Sequence, residues 1–184
     1  MLTNSFDLLV TARELRRDGL IPPHVGIWAA ENPVLECNAS RLEAKISAGA
    51  ETLLTQPPLA WERFEGWMDD ARQRGATSAA DIIVGMPLLT SPGTLRFWIQ
   101  LCNAPVHGEQ AALLEDWERA HRSMSSAEFD AFALDWNRQL AQKVRTACSV
   151  AVVAEISLRS PRKSFNIVMK KYINRIKVSK NKII

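Results

Sequence analysis

The chain has 184 residues, 47% hydrophobic and 23% charged, the balance of one globular domain large enough to bury a core. No apolar run reaches the roughly 18 residues that cross a bilayer, and the start, MLTNSFDLLVTARELRR, lacks the order of a signal peptide. The three cysteines, Cys37, Cys102 and Cys148, are scattered without a CxxC spacing, which excludes a disulfide framework and fits a reducing, cytoplasmic setting.

The net charge of +3 divides unevenly. From Arg159 onward there are nine basic residues and no acidic ones, whereas residues 1–158 set fourteen basic residues against all 20 acidic ones, a net of −6. The expected organisation is therefore a body over 1–158 and an appended basic tail over 159–184. The tail reads either as a segment without fixed structure or as a single basic helix. Such a helix would suit nucleic acid or an anionic membrane; the other reading is an added end with no selected role.

In chain order, Phe6 to Asp18 is amphipathic, with Leu8, Leu9, Ala12 and Leu15 at helical spacing. Gly19 ends that helix and Pro22-Pro23 keep the connection extended. Val25 to Ala30 reads as a buried strand running into the loop Glu31-Asn32-Pro33, and Leu35 to Ala48 as a second helix. Gly49 can close this helix in a left-handed conformation. Thr52 to Thr55 is of strand length, and Pro57-Pro58 stop it because proline has no N–H for a sheet ladder. Gln56 stands at the carboxyl end of that strand. There it either caps the strand or offers a ligand an amide that donates and accepts at once.

Trp61 to Arg74 is a third helix with the stripe Trp61, Phe64, Trp67, Met68, Ala71, ended by Gly75. Asp81 to Met86, DIIVGM, is apolar enough for a strand covered on both faces, and Pro87 ends it. Helices follow over Thr94–Asn103, Glu109–Arg122 and Ser126–Arg145. Ser126 and Phe129 suit the start of the last, and no full capping box is recognised there. On the Thr94–Asn103 helix the adjacent Phe97 and Trp98 face different ways, one to the core and the other able to reach the strand ends. Ala147 to Ser157 reads as a fourth strand. Strands alternating with helices of about a dozen residues give βαβ units and a parallel sheet. Four parallel strands leave bare edges, so the expected fold is a partial (β/α)8 barrel of about four βα units plus the basic tail.

The familiar catalytic signatures are missing: no GxGxxG, Walker loop, HExxH or GxSxG occurs. The closest His–Cys pair, Cys102 and His107, has no further ligands nearby in sequence, so no metal site is expected. Residues alone assign no catalytic group.

Three runs resemble the second half of the methylenetetrahydrofolate reductase barrel: VGIWAAENP, RLEAKISAGAETLLTQPPL and IIVGMPLLTSPGTLRF. The middle run carries the family's K-x-x-AGA-x-x-x-x-TQ helix–strand unit, and the third a strand ending before a helix with a substrate-stacking phenylalanine. The resemblance covers about residues 5–146. It implies a flavoprotein oxidoreductase of one-carbon and methionine metabolism, with hydride passing from NAD(P)H through FAD to methylenetetrahydrofolate. By the same resemblance Gln56 would hydrogen-bond the folate pterin and Phe97 would pack on the folate. Lys45 would serve the flavin phosphates, Asn32 would stand where the family has histidine, and Trp28 where it has the tyrosine beside the flavin adenine. Ala44 replaces a family arginine, and the family's glutamate acid and flavin-tuning aspartate have no counterpart in this chain. Three expectations stand side by side: an impaired reductase, a catalytically silent module of the same fold, and a polyanion binder acting through the tail. A second copy or another chain would complete the barrel.

Overall fold

The computed structural model describes residues 4–36, 38–104 and 107–148, and the backbone of 152–156. The tail over 159–184 lies outside the described residues. Eleven elements follow in order: α1 (Ser5–Arg17), β1 (Trp28–Glu31), α2 (Ser40–Ala48), β2 (Thr52–Thr55), α3 (Trp61–Gln73), α4 (Ala76–Ala79), β3 (Asp81–Pro87), α5 (Pro92–Leu101), α6 (Glu109–Ser123), α7 (Ser126–Ala147) and β4 (Val152–Ile156). The strands form one parallel sheet in the order β1-β2-β3-β4. Each step across it needs a helical crossover, as parallel pairing requires.

Among the described residues the sheet is covered on one side. Ala29, Leu53, Ile82, Val84 and Met86 share a face with period 2 and pack against Leu9, Leu42, Phe64, Trp67, Met68, Leu140 and Val144 from α1, α2, α3 and α7. On the other face Ala30 is exposed and Leu54 and Ile83 are only half-buried; the last two belong to neither core cluster. A second apolar cluster sits beyond the carboxyl ends of the strands. It joins Val34, Leu59 and Leu89, one from each strand-end connection, to Leu95, Trp98, Ile99 and Cys102 of the α5 segment, and to Trp117 and Phe129. Sequence periodicity locates the stripe of α3; the division into two cores comes from α5 and α6 forming an excursion before α7 returns to pack on β3 and β4.

Several boundaries differ from the sequence reading for identifiable reasons. The first strand starts at Trp28, not Val25. The Val25 carbonyl accepts from Arg16 and the Ile27 N–H donates to Glu51 Oε2 at 3.1 Å, so side chains take these two groups, and backbone pairing with the β2 entry begins only at the Ile27 carbonyl, which accepts from the Glu51 N–H at 2.9 Å. Trp28 is consequently the first residue of β1, in register with Thr52, and not its carboxyl end. The α2 helix begins only at Ser40, since the Leu35 and Glu36 N–H groups both turn back to the Asn32 carbonyl. Asp70 on α3 accepts from the Ala39 N–H at 2.7 Å at the start of α2. That bond, seconded by Arg74, holds the Asp70 carboxyl below its usual pKa. α7 does carry a full capping box, Ser125 with Glu128, one residue earlier than the start inferred from Ser126. It also runs through Ala147, which removes the expected start of the fourth strand, described here over Val152–Ile156. α5 starts at Pro92, with a capping box built from Ser91 and Thr94. Thr52–Thr55 matches its expected bounds, with Gly49 at φ 121° closing α2 before it.

Gly85 lets β2 and β3 approach at their carboxyl ends. A Cβ added there would stand 2.5 Å from the Thr55 carbonyl oxygen, a clash with backbone that cannot swing aside. Gly85→Ala is expected to lower stability by about 1–3 kcal/mol. Gly66→Ala, in the middle of α3 with nothing within 4 Å of the new methyl, is expected to raise it by about 0.5–1 kcal/mol. Urea unfolding of the two variants checks the pair; a Gly85→Ala midpoint equal to the parent would contradict the close approach.

Candidate substrate site at the strand ends

Gln56 and Pro87 lie at the same, carboxyl end of the sheet, as the order and register of β2 and β3 require. Such ends collect ligand-binding groups in parallel α/β folds because the connections leave there. Three ties hold the connections here. Arg63 Nη1 of α3 donates to the Val34 carbonyl at 2.9 Å. Asn137 of α7 brackets Leu89, accepting from its N–H at 3.1 Å and donating to its carbonyl at 2.7 Å. Asn32 Nδ2 donates to the Cys102 carbonyl at 2.8 Å, joining the β1 exit to the end of α5.

Gln56 is half-buried. Its N–H donates to the Glu31 carbonyl at 2.8 Å, extending the β1–β2 ladder by one rung. Its Oε1 accepts from the Cys102 thiol at 3.5 Å. The amide NH2 makes no hydrogen bond to any described residue. Cys102 is fully buried, and burial pushes its thiol up to about 11, so it is a neutral donor through the whole physiological range. Of the adjacent aromatics, Trp98 is in the core, while Phe97 is 44% exposed and meets Trp98 edge to face at 5.8 Å. Phe97 stands five residues before Cys102 on the α5 segment, about 7–8 Å of helical rise away. Leu101, one turn on from Phe97, is also exposed, and together they give the α5 surface an apolar strip.

Lys45 is placed differently. It lies on the buried stripe Leu42–Lys45–Ala48 of α2. Its Nζ stands 2.5 Å from Glu31 Oε1 and donates to the Ala30 carbonyl at 2.5 Å. The two side chains are 7% and 0% exposed. Glu31 and Thr55 are partners in register on the helix-covered face, and the carboxylate oxygens and Thr55 Oγ1 make no aligned hydrogen bond with any described residue. Asn32 is spent at both ends, since its Oδ1 accepts from the Val34 N–H at 3.2 Å. Trp28 is 59% exposed at the amino end of β1, about 10 Å below the strand ends at the rise of a parallel strand.

The structure thus brings Gln56, Asn32 and Cys102 together, sets Phe97 further along the same α5 segment, and keeps Lys45 and Trp28 apart from them. Lys45, Asn32 and Trp28 do not fit a dinucleotide as a set: one cation is already compensated, one amide is used up, and the indole is at the far end of β1. No group of His, Cys, Asp and Glu able to hold a metal occurs among the described residues. Glu31 and Cys102 escape sequence reading. The signal for Glu31 is Lys45 itself, since an ammonium on an apolar helix stripe requires a buried counter-charge. Nothing in the sequence points to the thiol contact of Cys102.

A buried pair of this kind is expected to be coupled. Glu31→Leu or Lys45→Met alone should cost about 3–5 kcal/mol by leaving one charge buried and unpaired, whereas the double variant should recover most of the loss. A double-mutant cycle in urea measures this; additive single losses would show that the pair does not interact.

A model of the methylenetetrahydrofolate reductase family matches residues 23–157, well over half of the chain. No curated protein matches it. The matched span contains all four strands, the Glu31–Lys45 pair and Gln56. With the K-x-x-AGA-x-x-x-x-TQ unit now placed as the end of α2 and the whole of β2, the chain belongs to the methylenetetrahydrofolate reductase family of folate-metabolism oxidoreductases.

Proposed function

We propose that this chain binds the pterin of a folate at the carboxyl end of its sheet, as the substrate-holding part of a methylenetetrahydrofolate reductase. The observation that carries the reading is Gln56: a half-buried amide fixed by its own backbone and by Cys102, with its NH2 group unspent, at the position of the family's TQ motif. Gln56 would donate to the heterocycle, and Phe97, with Leu101 beside it, would cover the apolar part of the ligand. These residues bind and orient the substrate. Reduction of the folate methylene with NAD(P)H by way of FAD is the reaction this substrate implies, and no residue described here is assigned a proton or hydride step.

We further read the four-stranded sheet, open on the Ala30–Leu54–Ile83 face, as part of a (β/α)8 barrel formed by residues 1–158 and closed by a second copy or another chain. Among the described residues no strand pairs with the outer edges of β1 and β4, which supports that reading. The Glu31–Lys45 pair favours one variant of it, a folate-binding module with little activity of its own, because the cation expected beside the flavin phosphates is already neutralised.

The test is binding of folate and of FAD to the full chain by calorimetry, with Gln56→Ala alongside. Folate should bind, and Gln56→Ala should weaken it about tenfold, the effect of losing one hydrogen bond to an otherwise unpaired ligand group. FAD should bind substoichiometrically, and NADH–menadione turnover should be slow. Indifference of folate binding to Gln56→Ala would remove the site. Stoichiometric FAD with brisk turnover would remove the silent-module variant.

A further inference from the structure

The Gln56 amide is oriented before any ligand arrives. Its carbonyl oxygen points to the Cys102 thiol at 3.5 Å. Turned by 180°, the amide could only donate to the thiol sulfur, a weak acceptor, and would leave the S–H without the Gln56 oxygen it now reaches, so the S–H···O contact favours the orientation seen. Cys102 is itself located by a second contact, the 2.8 Å bond from Asn32 Nδ2 to its carbonyl. Asn32 in turn is fixed by the Val34 N–H on Oδ1. The chain of contacts Val34–Asn32–Cys102–Gln56 thus spans the β1 exit, the C-cap of α5 and the end of β2, and every member lies at the strand ends.

From this geometry we infer that Asn32 and Cys102 are positioning residues that lock the Gln56 amide with its NH2 group outward, so that the site selects a heterocycle presenting an oxo oxygen over one presenting an amino group at the same place. The inference rests on the reading of Gln56 as a ligand contact. It gives Asn32 a part in substrate selection in place of cofactor contact. It also accounts for a polar S–H in an otherwise apolar cluster of Trp98, Ile99 and Leu59. An outward NH2 meets an oxo group as donor to acceptor; against an amino group it meets another donor, and the mismatch leaves both unpaired.

The experiment compares Kd for folic acid, a 4-oxo pteridine, with Kd for its 4-amino analogue, aminopterin, on the full-length chain. The parent should prefer the oxo compound by about tenfold. Cys102→Ser keeps a donor and should keep the preference. Cys102→Val keeps the volume and removes the donor, so the amide is free to turn and the preference should shrink to within about twofold. Asn32→Ala should shrink it too, through loss of the tie on Cys102. The ratio of the two Kd values is the readout because a merely structural effect moves both alike; Cys102→Ser serves where the apolar variant folds poorly. An unchanged ratio in Cys102→Val overturns the inference. A parent that binds folic acid through Gln56 yet shows no oxo preference overturns it alone, whereas a parent that binds neither compound, or binds both regardless of Gln56→Ala, overturns the folate-site reading and this inference together.

Discussion

The interaction on which the body of the fold depends is the buried contact of Glu31 with Lys45. Each charge alone would carry a desolvation cost of several kcal/mol in the space between β1 and α2. They are tolerable only together, and only if α2 sits at one height and one rotation against the sheet. Lys45 reaches the Ala30 carbonyl as well as the carboxylate, so it reads the end of β1 by two groups at once. Since α2 leads through Gly49 straight into β2, that placement sets the level at which Thr52–Thr55 enters the sheet, and hence the height of Gln56. A pair of hydrophobic residues could fill the same volume with equal or better stability, but would fix the axial position of α2 less narrowly.

A second constraint acts from above. The strand-end connections carry Val34, Leu59 and Leu89, and each inserts its apolar side chain under the α5 segment. Backbone groups in these connections cannot be left dry and unpaired, and Arg63, Asn137 and Asn32 supply partners. The Trp61 N–H is satisfied in the same way by Glu109 at 2.9 Å, tying the start of α3 to α6. The strand ends are therefore held by packing and by hydrogen bonds together, which is what a site needs if an amide is to point one way.

How much of this the sequence carried depends on whether punctuation was local. β2 and the end of α3 were legible to the residue or nearly so, because Gly49, Pro57 and Gly75 sit where only a chain reversal or a stop fits. The β3 segment was legible because an apolar run between Asp81 and Pro87 has few alternatives. The start of β1 was not. Val25 and Ile27 are as strand-like in type as Ala29, but the Val25 carbonyl and the Ile27 N–H are taken by the side chains of Arg16 and Glu51, 9 and 24 residues away in sequence. The capping box of α7 is written in the sequence as Ser125-x-x-Glu128, and a helix start placed at Ser126 passes over it. Gln56 and Phe97 could be named from a motif, whereas Cys102 could not. Its contact with Gln56 spans 46 residues and arises because α5 ends over the strand ends. The resemblance assigns Lys45 to the flavin phosphates, and its burial on the α2 stripe gives that charge a different partner in Glu31.

The open face of the sheet decides how far these groups can work alone. Ala30, Leu54 and Ile83 line its carboxyl half, with the exposed Asp81 on the same face at the amino end of β3, and apolar area left in water forgoes about 25 cal/mol per Å² of stabilisation. A sheet covered on one side is an ordinary outcome for antiparallel strands, but parallel sheets are rarely left so. Electrostatic contacts at a wet site are also weak, since water competes for each donor and screens each charge. The same surface that completes the hydrophobic core would therefore sharpen the Gln56 contact, by drying the end of the sheet at which it stands. Packing and chemistry share one requirement here: cover on the Ala30–Leu54–Ile83 face raises stability and strengthens ligand recognition by the same exclusion of water.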